Sequence, residues 1–551
     1  MEPIAKELIW VASPGVTTAD LTTFHYRTGA CRCIRFEPRR RSGLEGMSIL
    51  CLEQGDWPDP TTYPSTGRDW EARQFTDAHV SPNVRRNVAD YPVNDTDSPI
   101  KIANFNGVGG GTVLYAGHVP RMHPSDFRVH TLDGVADDWP LDYTTLEPFY
   151  AMNDRMVGVA SLEGDPAYPP KVAVMPPLPL GRTGRVLARG FNALGWHWWP
   201  SDGAIASVTY DGRPPCTNLG HCIAGCAQGA KGSADVSYWP HAIRSGVALR
   251  TRCRVREITL DSRGMASGVV YHDVHGATHF QPARIVILAC NGIGTPRLLL
   301  HSASAAFPEG LANTSGFVGR NLMLHPYAPL RGTFDEPLDG YRGPHIGLWS
   351  HQFYETDAAR GFLRGYIFQT SRGYGPVATA MSGLRAGDIP WGAGHHDAFL
   401  GAFNRTVGLA AICEDLPELH NFVALDAQVR DADGIPAACI HYTLSKNSRR
   451  MLAHAVERGT ELLRASGAHT VTSEAPAPGA GWHLMGTARM GHNPGNSVVN
   501  AWGRCHDVRN LFIADGSIFV TAGGVNPTAT IQALALYIAD NIKRRLANLF
   551  D

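Results

Sequence analysis

The chain has 551 residues, 44% of them hydrophobic and 18% charged, with a formal net charge of −1. This length exceeds one ordinary core, so two or three domains are expected; the near-zero charge gives no electrostatic case for nucleic acid or an anionic membrane. No apolar run reaches the roughly 18 residues of a spanning helix, no leader pattern opens the chain, and eleven scattered cysteines make no disulfide framework, so a cytoplasmic protein is expected.

The first clear strand is Met47–Leu52, ended by Glu53. Ahead of it no G-x-G occurs. Instead TFHYRTGACRCIRFEPRRRS places six arginines between Arg27 and Arg41, without a helical apolar period. Three readings are open for residues 12–46: a variant that holds its ligand with another loop, a solvated basic segment, or a stretch translated out of frame and restored before Met47. The last is favoured, because everything after Met47 reads in register. On that reading the strand expected before a glycine turn is missing as well.

Residues 101–127 carry a glycine cluster, Gly107, Gly109, Gly110 and Gly111, flanked by Asn106, Thr112 and Ala116. Such a loop can lay backbone amides on a planar ligand, since a Cβ would hold the chain away; a flexible surface loop is the plain alternative. ADDWPLDYTTLEPFY predicts a helix beginning near Tyr143. Residues 160–215 are rich in Pro and Gly, with Trp196, Trp198 and Trp199 read either as aromatic core under a crossover or as a pocket wall.

Cys216, Cys222 and Cys226 follow with C-x5-C-x3-C spacing. Three soft thiolates in one loop could hold an iron–sulfur cluster. Zinc would need a fourth ligand, for which His221 is the nearby candidate. No metal is the reading adopted, with the cluster as the alternative.

GVALRTRCRVREITLD and MASGVVYHD alternate as a strand pair. ARIVILACNGIGTPRLLLHSA gives a buried strand, a tight turn through Gly292 and Gly294, and a helix beginning at Thr295-Pro296. Residues 330–475 hold aromatic-rich segments such as GFLRGYIFQTS and FVALDAQVRDADGIPAACIHYTL, read as antiparallel strands with a turn at Asp433-Gly434. A helix from Lys446 to Ser466 leads to the last segment.

That segment opens with His483 in a loop of small residues and continues through the short apolar strand of NLFIADGS, with Asp515 and Gly516 at its end. A glycine pair then enters Asn526-Pro527-Thr528 and a helix of strong formers. Pro and Thr suit a helix start, and free amides there attract an anion or carbonyl oxygen. One imidazole and one carboxamide at that mouth suit proton abstraction from an alcohol.

H-x-x-G-T-x-x-M-G, N-L-F-x-A-D-G-S and V-N-P-T-x-T-I-Q-A-L-A together resemble the C-terminal signature of the glucose–methanol–choline oxidoreductases. ARIVILACNGIGTPRLLLHSA resembles the family's second signature, G-x-x-x-T-P-x-L-L-x-x-S, and VGRNLMLHP, with Gly319 to Pro326, resembles a further landmark. The resemblance implies an FAD enzyme that removes a hydride from an alcohol carbon, with His483 as base and Asn526 as its partner. It places Glu53 on the ribose, Val255 at the adenine, and Asn106 with the glycine cluster at the isoalloxazine. Asp515 and Gly516, with Pro527 and Thr528 at the helix start, serve the pyrophosphate and ribityl end. Leu114 stands where some relatives carry a histidine tether, so non-covalent FAD is implied.

The expected fold is α/β with a β-rich insert: a discontinuous Rossmann-like FAD domain and an antiparallel substrate domain. The division is 1–160, 216–329 and 476–551 for the FAD domain, 161–215 for a crossover, and 330–475 for the substrate domain. Expected partners are a small alcohol or sugar and an electron acceptor, which is oxygen, a quinone or a redox protein. The rival functions are a catalytically impaired relative without FAD and an iron–sulfur flavodehydrogenase.

Overall fold

The computed structural model describes residues 6–12 and 47–545, except 68 and 88. One sheet of five parallel strands runs β17 (Leu511–Ile513), β9 (Ile285–Ala289), β1 (Lys6–Ala12), β2 (Met47–Glu53), β5 (Ala248–Arg250). Every residue of β9 is buried, as expected of a parallel strand covered on both faces. The sheet gathers strands from both ends and the middle of the chain, so this nucleotide-type unit is discontinuous.

The central place belongs to β1, paired to β2 along its whole length and to β9 from Leu8 to Ala12. This corrects the expectation that the first strand is missing. The run LIWVA is a short continuous apolar stretch, which carries no period of its own and was masked by the absent glycine turn. The expectations for the fingerprint and the arginine segment fall on residues 13–46, outside the described residues.

A second sheet of six strands runs β16 (Thr470–Ser473), β10 (Tyr327–Thr333), β13 (Thr406–Cys413), β12 (Tyr366–Ser371), β11 (Leu348–Phe353), β4 (Trp199–Pro200), antiparallel throughout. Its register sorts side chains onto two faces. Leu330, Leu409, Thr370 and Leu348 form one row of one face; Pro329, Ala410, Gln369 and Trp349 form a row of the other. The first face packs on the helix Lys446–Ala465, where Gly459 lies against Leu330 and Phe368. That helix starts on Ser445, whose hydroxyl accepts from the Ser448 amide, and buries Met451, Leu452, Ala455, Leu462 and Leu463 at helical spacing. The second face is turned to the C-terminal loop.

The remaining strands make β14 (Phe422–Arg430), β15 (Pro436–His441), β3 (Val93–Asp97), and the meander β6 (Arg254–Leu260), β7 (Ala266–His272), β8 (Thr278–Pro282). The turn expected at Asp433-Gly434 joins β14 to β15, yet this pair lies in a different sheet from β12. Trp199 pairs with Trp349 at the edge of the six-stranded sheet, while Trp196 and Trp198 pack on its core.

Tyr143–Val157 forms a helix capped by Asp142, as expected. The helix expected from Thr295 instead runs Asn291–His301, one turn earlier, with Pro296 inside it. Pro296 has no amide to offer the Gly292 carbonyl. The Thr487 hydroxyl donates to that carbonyl at 2.8 Å, so no buried acceptor is stranded.

Candidate active site

Two backbone bridges hold the loop that carries His483: Gly481 against Ile102, and Met485 against Met323. Two residues beyond Met323, His325 is thereby brought to His483. Their Nδ1 atoms are 2.8 Å apart, with the rings nearly perpendicular at 85°. His325 Nε2 lies 2.6 Å from the Gly523 carbonyl oxygen. Burial holds both imidazoles neutral, His325 pushed down to about 4 and His483 well below the ordinary histidine range, with His325 beside it adding to the effect.

The proton positions follow from these contacts. A carbonyl only accepts, so His325 Nε2 carries the hydrogen. Neutral His325 then has a bare Nδ1, which accepts from His483 Nδ1–H. His483 Nε2 is left with a free lone pair. A chain of one carbonyl and two rings therefore sets the tautomer of the residue in base position.

The Gly523 loop is fixed in turn. Thr521 Oγ1 donates to the Asp126 carbonyl, the Gly524 amide donates to the Tyr354 hydroxyl at 3.1 Å, and Tyr354 donates to Asp126 Oδ2. Gly523 has φ +63° and a Cβ there would meet Asp126 and Met122 at 3.3–3.4 Å, so a side chain is poorly tolerated. Three residues on, Asn526 Oδ1 accepts from Gln369 Nε2 of β12. Its carbonyl oxygen is thus occupied, and its two N–H donors have no partner among the described residues. Pro527 accepts from the Ile531 amide at 2.9 Å, and the helix Thr528–Arg545 begins at Thr528.

On the other side stand the segments expected at the cofactor. Glu53 ends β2, buried, with Oε1 accepting from the Gly55 amide at 2.8 Å. Burial raises its carboxyl to about 7, against the pull of that bond. Beside it opens a cleft of ≈ 430 Å³ walled by Gln54, Cys253, Val255, Cys290, Gly294 and Leu298.

Gly55 and the glycine loop are pressed together: a Cβ on Gly55 would stand 2.3 Å from the Asn106 carbonyl oxygen. Gly107 packs on the Asp56 carbonyl, while Gly109 and Gly110 take φ of +95° and +54°. Thr112 Oγ1 donates to Gly109 and accepts from Ala234. A Cβ on Gly111, by contrast, would meet nothing within 4 Å. Leu114 and Ala116, both half-buried, follow that turn.

Asp515 is buried with both oxygens engaged by the chain: Oδ2 accepts from the Asn291 amide and the Thr295 hydroxyl, Oδ1 from the Ser517 amide. Its geometry is that of a clamp between the strand end and the helix Asn291–His301. Gly516 lets the His483 loop approach, since its Cβ would be 2.7 Å from the Leu484 carbonyl oxygen.

FAD fits these residues. Gln54 Nε2 and Asn106 Oδ1 are buried polar atoms without a hydrogen-bond partner among the described residues, on two of the segments that would surround it.

The cysteine loop is tied to the glycine loop by Lys231, whose buried ammonium donates to the carbonyls of Val113, Tyr115 and Cys222. Burial raises the Cys216 thiol to about 11. Among the described residues no three His, Cys, Asp or Glu side chains gather in a way that could hold a metal. Cys216, Cys222, Cys226 and His221 are not such a set; His221 is engaged by Gln74 Nε2 at 2.7 Å.

His325 and Gln369 are the functional candidates that sequence reasoning missed. His325 was in view inside VGRNLMLHP; a second histidine within a motif that precedes the catalytic segment was the available signal.

Models of the family described as GMC oxidoreductase match residues 179–327 and 417–535. The chain is 41% identical over 515 residues to 2-methyl-1,2-propanediol dehydrogenase of Mycolicibacterium austroafricanum, covering 92% of each chain. It is 32% identical to paromamine 6'-oxidase of Streptomyces fradiae, over 78% of this chain and 77% of that one. It is 31% identical to the fructose dehydrogenase large subunit of Gluconobacter japonicus, over 80% of each. Among solved structures, pyridoxine 4-oxidase from Mesorbium loti superposes with a TM-score of 0.66 over 97% of this chain and 99% of that one, at 16% identity. That likeness concerns the fold.

Proposed function

The chain belongs to the GMC oxidoreductase family, and on that premise we propose that it oxidises the hydroxyl of a small alcohol or sugar to a carbonyl with non-covalent FAD. FAD, when bound, supplies the hydride acceptor. The chain supplies the proton chemistry. The bare Nε2 of His483 takes the hydroxyl proton, and the resulting imidazolium keeps its Nδ1–H on His325. The N–H donors of Asn526 hold the substrate oxygen, while Gln369 fixes which end of that amide is presented. Burial disfavours the His483 cation, so its Nε2 proton goes to water once the carbonyl product leaves, which restores the neutral imidazole.

The observation that carries this reading is the run from Gly523 through His325 to His483, which leaves one lone pair at the catalytic position. We assign Glu53 and Val255 to the adenosine end, Asn106, Gly107, Gly109, Gly110, Gly111, Thr112 and Ala116 to the flavin ring side, and Gly516, Pro527 and Thr528 to the middle. Asp515 acts there by holding its turn. Leu114 in the tether position supports a non-covalent cofactor. The domain division is proposed as given from the sequence, and the acceptor is oxygen, a quinone or a redox protein.

The relatives named for 2-methyl-1,2-propanediol, paromamine and fructose suggest testing primary and secondary hydroxyls of small polyols first. Purified FAD-loaded protein is mixed with such a panel without oxygen, and the visible flavin band is followed. Bleaching by at least one alcohol, with the carbonyl product recovered, is expected. A flavin that stays oxidised with every alcohol would contradict the proposal.

A further inference from the structure

The face of the six-stranded sheet that holds Gln369 to Asn526 also carries Tyr327 and Arg331. Trp482, next to His483, packs its ring edge on Tyr327 at 5.3 Å. Burial raises the Tyr327 phenol, with the charge of Arg331 and the Ser371 hydroxyl acting against it. Arg331 lies in one row with Gly408 and Ser371, and its guanidinium stands 4.5 Å over the Tyr374 ring. A continuous wall therefore runs from the catalytic histidine to Arg331.

Arg372 joins it. Just past β12 the chain folds over Gly408, where a Cβ would be 2.4 Å from the Arg372 carbonyl oxygen. His345 lies in the field of Arg331 and Arg372 together, with His118 and His221 nearby. These imidazoles are held neutral, mainly by burial. Burial lowers the Arg372 guanidinium only to about 10. Neither has a carboxylate within ion-pair distance among the described residues, and the Nε of each is buried without an acceptor. Glu71, the nearest acid in Arg372's field, accepts instead from the amides of Val377 and Ala378. Both side chains are half-buried, and planar guanidinium forks that face no carboxylate of the chain match one supplied by a ligand.

We propose that Arg331 and Arg372 form a subsite for a carboxylate on the substrate, so that the preferred alcohol is a hydroxy acid oxidised at the end remote from its carboxyl group. This rests on the redox reading above and names its substrate class. Arg331 stands on the same face as Gln369, in the next row of the sheet, roughly 7 Å along the strands, and with its own reach this suits a terminal hydroxy acid of about six carbons. It also disfavours a polycationic substrate, since ammonium groups would meet two guanidiniums.

The test uses the FAD-loaded full chain. A terminal hydroxy acid of about six carbons is compared with the diol and the amino alcohol of equal length. kcat/KM should be higher for the acid by about 10-fold or more, the scale of a charge-assisted hydrogen bond. Arg331→Met and Arg372→Met should each reduce the acid-to-diol ratio by a similar factor, through KM. In the unaltered enzyme, hexanoate should quench Trp fluorescence and compete more tightly than hexylamine, a readout that needs neither turnover nor a foldable variant. Equal binding of hexanoate and hexylamine would overturn the proposal, as would an unchanged ratio in both variants. Variants that lose FAD while keeping the acid preference would assign the arginines to the cofactor and overturn it too. If no alcohol reduces the flavin yet hexanoate still binds preferentially, the redox reading fails and the subsite stands.

Discussion

Gln369 donates to Asn526 across the gap between the six-stranded sheet and the C-terminal loop. A strand of one layer thereby sets the orientation of an amide in the other. Asn526 could otherwise rotate about its terminal bond and present oxygen where a donor is required.

Gln369→Leu is expected to lower kcat/KM by about 10-fold, the loss of one buried hydrogen bond. Gln369→Glu should do worse, because its carboxylate would draw the Asn526 N–H group to itself. Steady-state kinetics on both variants decide this; an inactive Leu variant beside a fully active Glu variant would refute the assigned orientation.

His325 is a positioning residue, and two substitutions separate that role from simple packing. His325→Gln keeps an acceptor for His483 Nδ1–H and a donor for Gly523, whereas His325→Leu keeps neither. The Leu variant should lose about 10-fold or more in kcat with an altered pH profile, general-base alignment being worth more than that in full. The Gln variant should retain most activity and the parental profile. Equal losses in the two would leave His325 with a packing role alone.

Gly55 and Gly111 differ in what a methyl group would meet. Gly55→Ala forces the exit of β2 away from Asn106 and should cost about 1–3 kcal/mol of stability. Gly111→Ala should leave the thermal midpoint of the flavin-free protein unchanged but weaken FAD binding, because its methyl enters the open face. Parental FAD affinity in Gly111→Ala would place the loop away from the cofactor.

Buried neutral histidines predict a pH dependence. His118, like His325, is pushed down to about 4 by burial, against about 6.5 in an unfolded chain. The unfolded state therefore takes up protons first as pH falls, so this stability is complete above about 6.5 and is lost between about 6.5 and 4. Buried Glu53 and Asp415, raised to about 7 by burial, act in the opposite sense. The histidine contribution is thus read as a difference: below about pH 6.5, His118→Gln should gain on the parent chain by up to about 1.4 kcal/mol per pH unit. Denaturant midpoints across that range test it, and a pH-independent difference would contradict it.

The C-terminal segment was legible because His483, Asn526 and the turn at Asp515 stand in one contiguous motif with its own helix start. His325 was not, since 158 residues separate it from His483 and a lone imidazole in an apolar run names no partner. At Asp515 the structure adds what the motif does not name: Oδ2 accepts from Asn291 and Thr295, and Oδ1 from Ser517. The sheet assignments failed where pairing is non-local. The LIWVA run of β1 is too short and uniformly apolar to show a period, and β14–β15 join β3 rather than the neighbouring strands in sequence. Pro296 marked a helix start by its local chemistry, which the Thr487 hydroxyl overrode from a distant loop.

The central claim is that His483 Nε2 accepts the substrate proton. It is tested most directly by single-turnover flavin reduction in His483→Ala, using preparations matched to the parent in FAD content and mixed with the best alcohol without oxygen. The account predicts a rate lower by about 10²-fold or more, the general-base scale, with unchanged flavin content. A parental rate of flavin reduction in His483→Ala would contradict it.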